Sequence, residues 1–197
     1  MRRLLTPVAL LAVLAVIAPA NAGTFTYTDP ADMPANGGLD IRSVTYSTLG
    51  KGKGKAYVPS TLVASLTLSA PPVDQAGVGY EVAAQVEGCG DLIFSYTPGT
   101  VASAVLGEAL LFVGCGGAGD PTGSDAQILT PKFAVTGATL TWSMALKAMP
   151  KQIRAGAILD SLVSRVDVVE PAFGTRPVGA APALLDTAMT DQTWTIR

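Results

Sequence analysis

Tyr80-Glu-Val-Ala-Ala-Gln-Val-Glu-Gly-Cys-Gly-Asp-Leu-Ile-Phe-Ser-Tyr-Thr97 reads as two short strands around a glycine turn. In the first half, Tyr80, Val82, Ala84 and Val86 alternate with Glu81, Ala83, Gln85 and Glu87, the period-2 pattern of a strand with one wet face. In the second, Leu92, Phe94 and Tyr96 share a face. Gly88 and Gly90 flank Cys89 in the turn, where glycine tolerates positive φ. The spacing predicts an antiparallel hairpin of 80–87 with 92–97.

Working outward, 44–49 and 62–68 carry the same β signature. Lys51-Gly-Lys-Gly-Lys55 lies between them and reads as a flexible, solvated basic hairpin tip, with a polyanion or membrane-surface contact as the alternative. A second hairpin is expected from 126–136 and 138–146 about Gly137-Ala138, with Leu140, Trp142, Met144 and Leu146 facing the core. Residues 101–113 fit either a bent strand or a short helix. Residues 148–154 are the best helical candidate, stopped at Gly156. Residues 158–169 return to β character, 171–183 form a Pro/Gly-rich loop, and 191–197 make a closing strand with Trp194 and Ile196 on one face. The expectation is an all-β fold, an antiparallel β-sandwich of about eight or nine strands with at most one short helix.

The first 22 residues carry the three parts of a secretory signal peptide. Arg2 and Arg3 provide the charge, 4–17 the apolar segment, and Ala20-Asn21-Ala22 the small-x-small cleavage site. That segment is short for a membrane span and contains Pro7. The expected mature chain, 23–197, is a single β-sandwich domain, secreted and extracellular, with no membrane span after signal removal. Losing Arg2 and Arg3 reduces 13 basic residues to 11 against 15 acidic ones, a net charge of −4. That balance disfavours nucleic acid as a partner and leaves extracellular polysaccharide or protein.

Two cysteines, Cys89 and Cys115, in an exported chain read as one disulfide. The chain has no histidine, so Ser-His-Asp and Cys-His catalysis and His-ligated zinc or copper are excluded. A haem would have to use Met or Lys. A carboxylate hydrolase needs no histidine, but Glu81 and Glu87 are six residues apart on one strand, too far along it to pair alone. The chain is expected not to be an enzyme. Trp142 and Trp194 fall on the apolar sides of their strands. Tyr27, Tyr46, Tyr57 and Tyr96 are the aromatic candidates for an exposed carbohydrate-binding face.

One stretch gathers polar ligands. Asp29-Pro-Ala-Asp-Met-Pro-Ala-Asn-Gly-Gly-Leu-Asp-Ile41 brings Asp29, Asp32, Asn36 and Asp40 together with Gly37-Gly38. Calcium takes six to eight oxygens from such carboxylates, amides and carbonyls on a loop that curls, so Asp29, Asp32 and Asp40 are the calcium candidates. Asp120 and Asp125 could add a ligand. Side-chain capping of the turn is the competing reading.

Several of these segments together resemble uncharacterised secreted proteins of actinobacteria, and more loosely the DOMON and family-9 carbohydrate-binding β-sandwiches. They are the Asp29, Asp32 and Asp40 opening, Gly88-Cys89, Phe94-Ser95-Tyr96-Thr97-Pro98, Cys115-Gly116-Gly117, Leu140-Thr141-Trp142 and Met149-Pro150-Lys151. The usual opening in that group, Asp-Pro-x-Gly-Asp, is one residue shorter here. The ligand residues of those relatives have no counterparts in this chain. The likeness implies the sandwich rather than an activity. The expected function is a secreted, non-enzymatic binding or structural module. A calcium-stabilised carbohydrate-binding module and a carboxylate-based extracellular hydrolase are the alternatives.

Overall fold

The structure, a computed structural model, describes residues 21–29, 38–73, 78–98, 109–115, 126–168 and 184–197. Among the described residues there are twelve strands and two 3₁₀ turns, in two antiparallel sheets. The first sheet contains β1 (Asn21–Thr28), β2 (Ile41–Lys51), β3 (Val58–Leu68), β8 (Lys132–Thr136) and β9 (Thr139–Ala145), in the order β1-β2-β3-β9-β8. The second contains β4 (Val78–Val86), β5 (Gly90–Tyr96), β6 (Ala109–Gly114), β7 (Ala126–Leu129), β10 (Ile158–Val168), β11 (Leu184–Thr190) and β12 (Trp194–Thr195). Its order is β11-β10-β4-β5-β6-β7, with β12 also paired to β10.

The hairpin of β4 and β5 forms in the expected register, Tyr80 opposite Tyr96 and Val86 opposite Gly90. Gly88 has φ 73 and Gly90 φ 134. A Cβ on Gly90 would come within 2.3 Å of the Gly114 carbonyl oxygen, so the close approach of β5 to β6 requires glycine there. Between the sheets lie Trp142, Tyr46, Tyr80, Phe94, Ile41 and Leu62, the largest fully buried side chains. Two hydrogen bonds tie the layers through this core. Trp142 Nε1–H donates to the Ser95 carbonyl (3.1 Å), and the Tyr46 hydroxyl to that of Ala83 (3.0 Å). Burying these rings is affordable because each polar tip finds a partner.

The outer face of the first sheet is hydroxyl-rich, and its hydroxyls pair across strands. Thr26 meets Thr45 at 2.9 Å, and Ser65–Thr141 and Thr67–Thr139 are each 3.2 Å apart.

Several expectations need correction. Among the described residues the strands number twelve rather than about eight or nine, because β1 and β11 border the sheets where no strand was anticipated and 126–136 makes two strands. The run 126–136 is not one strand. Thr130 and Pro131 divide it, so that β7 pairs with β6 in one sheet and β8 with β9 in the other. Proline lacks a backbone donor and stops the ladder, and the chain uses the break to change sheets. The helical turn falls at Leu146–Ala148 and is 3₁₀. Residues 149–156 form turns anchored by buried Met149 and Ile153. Of 191–197, only Trp194–Thr195 pairs as strand, although Trp194 and Ile196 do face inward. Of 101–113, the part from Ala109 is strand, and 101–108 lie outside the described residues, as do 171–183.

The tip at 51–55 is also more defined than its composition suggests. Gly54–Ala56 is a 3₁₀ turn, with Tyr57 N–H donating to the Gly54 carbonyl at 3.1 Å. The Tyr57 hydroxyl donates back to the Thr48 carbonyl at 2.9 Å. Gly52, at φ 87, could not carry a Cβ, which would lie 2.2 Å from the Ala56 carbonyl oxygen.

Candidate functional site

The register places both ends of the 29–41 stretch at one end of the sandwich, where β1 finishes and β2 begins. Asp29 N–H donates to the Arg42 carbonyl (3.1 Å), closing the base of this segment. Asp32, Asn36 and Gly37 lie outside the described residues, as do Asp120 and Asp125.

Asp40 is 1% exposed. Its carboxylate accepts from the Ser69 hydroxyl, its carbonyl accepts from Ser69 N–H at 2.9 Å, and the Arg42 guanidinium stands 4.0 Å from the same carboxylate oxygen. A buried carboxylate needs such compensation to stay ionised. Gly38 is equally committed. Its carbonyl accepts from the Tyr80 hydroxyl at 3.0 Å, and a Cβ there would meet the Pro71 carbonyl oxygen at 2.5 Å.

Sequence reasoning missed Asp186. It lies in β11, 6% exposed, and reaches across to the other sheet. One carboxylate oxygen accepts from Ile41 N–H at 2.6 Å and the other from Thr187 N–H at 2.7 Å. Both bonds are charge-assisted. The available signal was a lone carboxylate inside the apolar stretch Ala183-Leu-Leu-Asp-Thr-Ala-Met189, a pattern that marks a buried, paired charge.

Burial also governs the tyrosines at this end. Burial pushes the Tyr27 hydroxyl up to about 12, with the nearby Ser164 side chain opposing and the Asp29 charge adding to the rise. Tyr80 is likewise pushed up to about 12 by burial, against a hydrogen bond from Val73 N–H. Tyr46, nearer the middle, is raised well above its usual value by complete burial, with a smaller rise from Tyr27. Tyr27 and Tyr46 are therefore core residues rather than members of an exposed aromatic face. Tyr57 and Tyr96 are half-buried, and Tyr96 stacks on Phe133 at 4.3 Å. Trp142 is fully buried and Trp194 is 8% exposed.

The opposite end gathers the β2–β3 tip, the β4–β5 turn, the 146–157 connection and the closing residues 194–197. Cys89 and Cys115 are here, both buried and at disulfide distance, with Cα atoms 4.1 Å apart. They tie the β4–β5 turn to the end of β6. Grooves surround the 149–157 loop. One, of about 500 Å³, passes Met149, Lys151 and Gln152. A second, of about 340 Å³, shares Gln152 with it and runs past Arg154 and Glu87. A third, of about 450 Å³, shares Ala155 and Gly156 with the second and ends between Tyr57 and Arg197.

Among the described residues, no three Cys, Asp or Glu side chains converge as a metal-binding group. Glu81 sits in mid-strand opposite Arg165, whereas Glu87 opens onto the second groove. No family model, curated protein or solved structure matches this chain.

Proposed function

We propose that the chain is exported and serves as a non-enzymatic β-sandwich module for extracellular binding or structure. The observation that carries this reading is how the prominent carboxylates are used. Asp40 and Asp186 hold backbone and hydroxyl groups where the two sheets meet, which is a structural task. A general acid or nucleophile needs a carboxylate that opens onto substrate. The signal-peptide pattern at 1–22 and the buried cysteine pair support export. Cleavage after Ala22 leaves the β1 pairings from Thr24 to Thr28 intact.

A glycan array combined with a turnover screen on cell-wall polysaccharides tests the reading. Binding without turnover is the expected result, and turnover abolished by one Asp or Glu substitution would overturn it. Intact mass of the secreted protein should correspond to a start at Gly23 and two hydrogens fewer than the reduced chain.

Calcium is a second reading for Asp29, Asp32 and Asp40. It is favoured by the closure of the segment, which draws Asp29 and Asp40 to one end of the sheet. Asp32→Asn is the discriminating variant, since Asp40 is already required by Ser69. If calcium binds, a chelator lowers the Tm of the native protein and leaves that of Asp32→Asn unchanged. An equal response in both would refute the assignment.

A further inference from the structure

The cation-rich end has a form that the module reading leaves unexplained. Lys51, Lys53 and Lys55 project from the β2–β3 tip, and Lys147, Lys151 and Arg154 from the connection between β9 and β10. All six are exposed, and none has a carboxylate partner within 4.0 Å among the described residues. The tip is built rather than loose, because the 3₁₀ turn, the two glycines at positive φ and the Tyr57–Thr48 hydrogen bond fix where its lysines start. The three grooves around the 149–157 loop adjoin, the first and second sharing Gln152 and the second and third sharing Ala155 and Gly156. Together they make a row, the trough, from Lys151, past Arg154, to Arg197 and Gly54 at the foot of the tip. A fourth groove shares Glu87 and Gly88 with the second and adds Asp160, so Glu87 and Asp160 are the carboxylate side chains in the described walls.

We propose that this trough docks a linear anionic polysaccharide, its carboxylate or sulfate groups meeting the trough cations and the tip lysines in turn. The proposal rests on the binding-module reading and names its partner class. Fixed cations along a concave path suit a single charged chain, because like-signed walls concentrate the opposite charge. A lipid surface presents a plane of charge and would meet the exposed tip lysines without entering grooves lined by Gln152, Ala155 and Gly156. Single-stranded nucleic acid needs aromatic platforms for its bases, and the one ring among the described walls, Tyr57, is tethered through its hydroxyl to Thr48. A sugar-acid chain needs no such platform, and Gln152 offers amide hydrogen bonds to its hydroxyls.

The test measures binding of the secreted protein to polygalacturonate and dextran sulfate, with neutral dextran and phosphatidylglycerol vesicles as controls, by calorimetry at low and at 0.3 M salt. The expected result is binding to both polyanions and not to neutral dextran, weakened at least tenfold by salt because exposed charges are screened. Lys51→Gln/Lys53→Gln/Lys55→Gln and Lys151→Gln/Arg154→Gln should each lose at least fivefold in affinity with Tm unchanged. Full affinity in both variants, absence of polyanion binding, or binding to the vesicles alone would overturn the proposal. Salt-insensitive binding to neutral dextran would also overturn it while leaving the module reading standing. Release of reducing ends from a polyanion whose binding still depends on the cations would overturn the non-enzymatic reading and support the trough.

Discussion

At one end of this sandwich the prominent charges are carboxylates, and they are buried; at the other they are ammonium and guanidinium groups, and they stand in water. Asp40 and Asp186 each satisfy backbone or hydroxyl donors, and removing either would leave those donors stranded. The lysines of the 51–55 tip and the 146–157 connection satisfy nothing in the fold that the described residues reveal. Acidity in the sequence draws attention to the first end, yet there Asp186 ties one sheet to the other and Asp40 ties the start of β2 to the end of β3. Charge free to meet a partner lies at the second end. Burial separates structural charge from available charge more sharply than composition does.

The largest expected effect breaks the first end. Asp186→Ala should cost about 3–5 kcal/mol, because it removes the acceptor of two backbone donors, Ile41 N–H and Thr187 N–H, at about 1.5–3 kcal/mol each. Chemical denaturation would register this as a lower midpoint, with Tm falling by roughly 10 °C. Asp186→Asn, which keeps one acceptor oxygen, should lose less. Equal stability in all three proteins would remove the distinction between the ends.

The counterpart at the second end is the cysteine pair. Reduction, or Cys89→Ser/Cys115→Ser, should cost about 3 kcal/mol for a sequence separation of 26. Hydrogen exchange in the reduced protein should rise first around β5 and β6, with the Asp186 contact unaffected. A uniform rise would mean that the ends do not stabilise separate regions.

A smaller effect follows from the tyrosines. Tyr27 and Tyr80 ionise at about 12 in the folded chain against an ordinary value of 10.0. The folded state therefore holds their protons more tightly than the unfolded state. That contribution is complete below pH 10 and is lost as pH rises through 12. Urea midpoints should decline from about pH 10 upward, and Tyr27→Phe should flatten the decline. The smallest effect is expected at the lysines, where Lys51→Gln/Lys53→Gln/Lys55→Gln should leave stability within about 0.5 kcal/mol of the parent. A larger loss would make the tip structural after all.

Local periodicity made much of the fold legible. The β4–β5 hairpin, the inward Trp142 and the all-β class follow from alternation and glycine placement, which are properties of neighbouring residues. The edge strands were hidden for different reasons. Thr24, Thr26 and Thr28 of β1 alternate with Phe25 and Tyr27, but they adjoin the signal-peptide pattern and the acidic segment, both of which claimed the reading. In β11, the lone Asp186 interrupts an apolar run too short to show a clear period, and its partner Ile41 lies 145 residues away. Of the calcium candidates, Asp40 is buried against Ser69 and Arg42, contacts that no local pattern in the sequence announces. The trough could not be read from sequence, because its walls come from the β2–β3 tip, the β4–β5 turn and the residues after β9.

The passage of β7 into β8 through Thr130 and Pro131 has a mechanical consequence. Along that margin the two sheets are continuous polypeptide and cannot separate without unthreading a strand. Along the opposite margin, β1 and β2 meet β10 and β11 with the Asp186–Ile41 hydrogen bond between them. The molecule is thus a book, bound on one side and clasped on the other, and when it begins to open under force or heat, the clasp side is where the pages part.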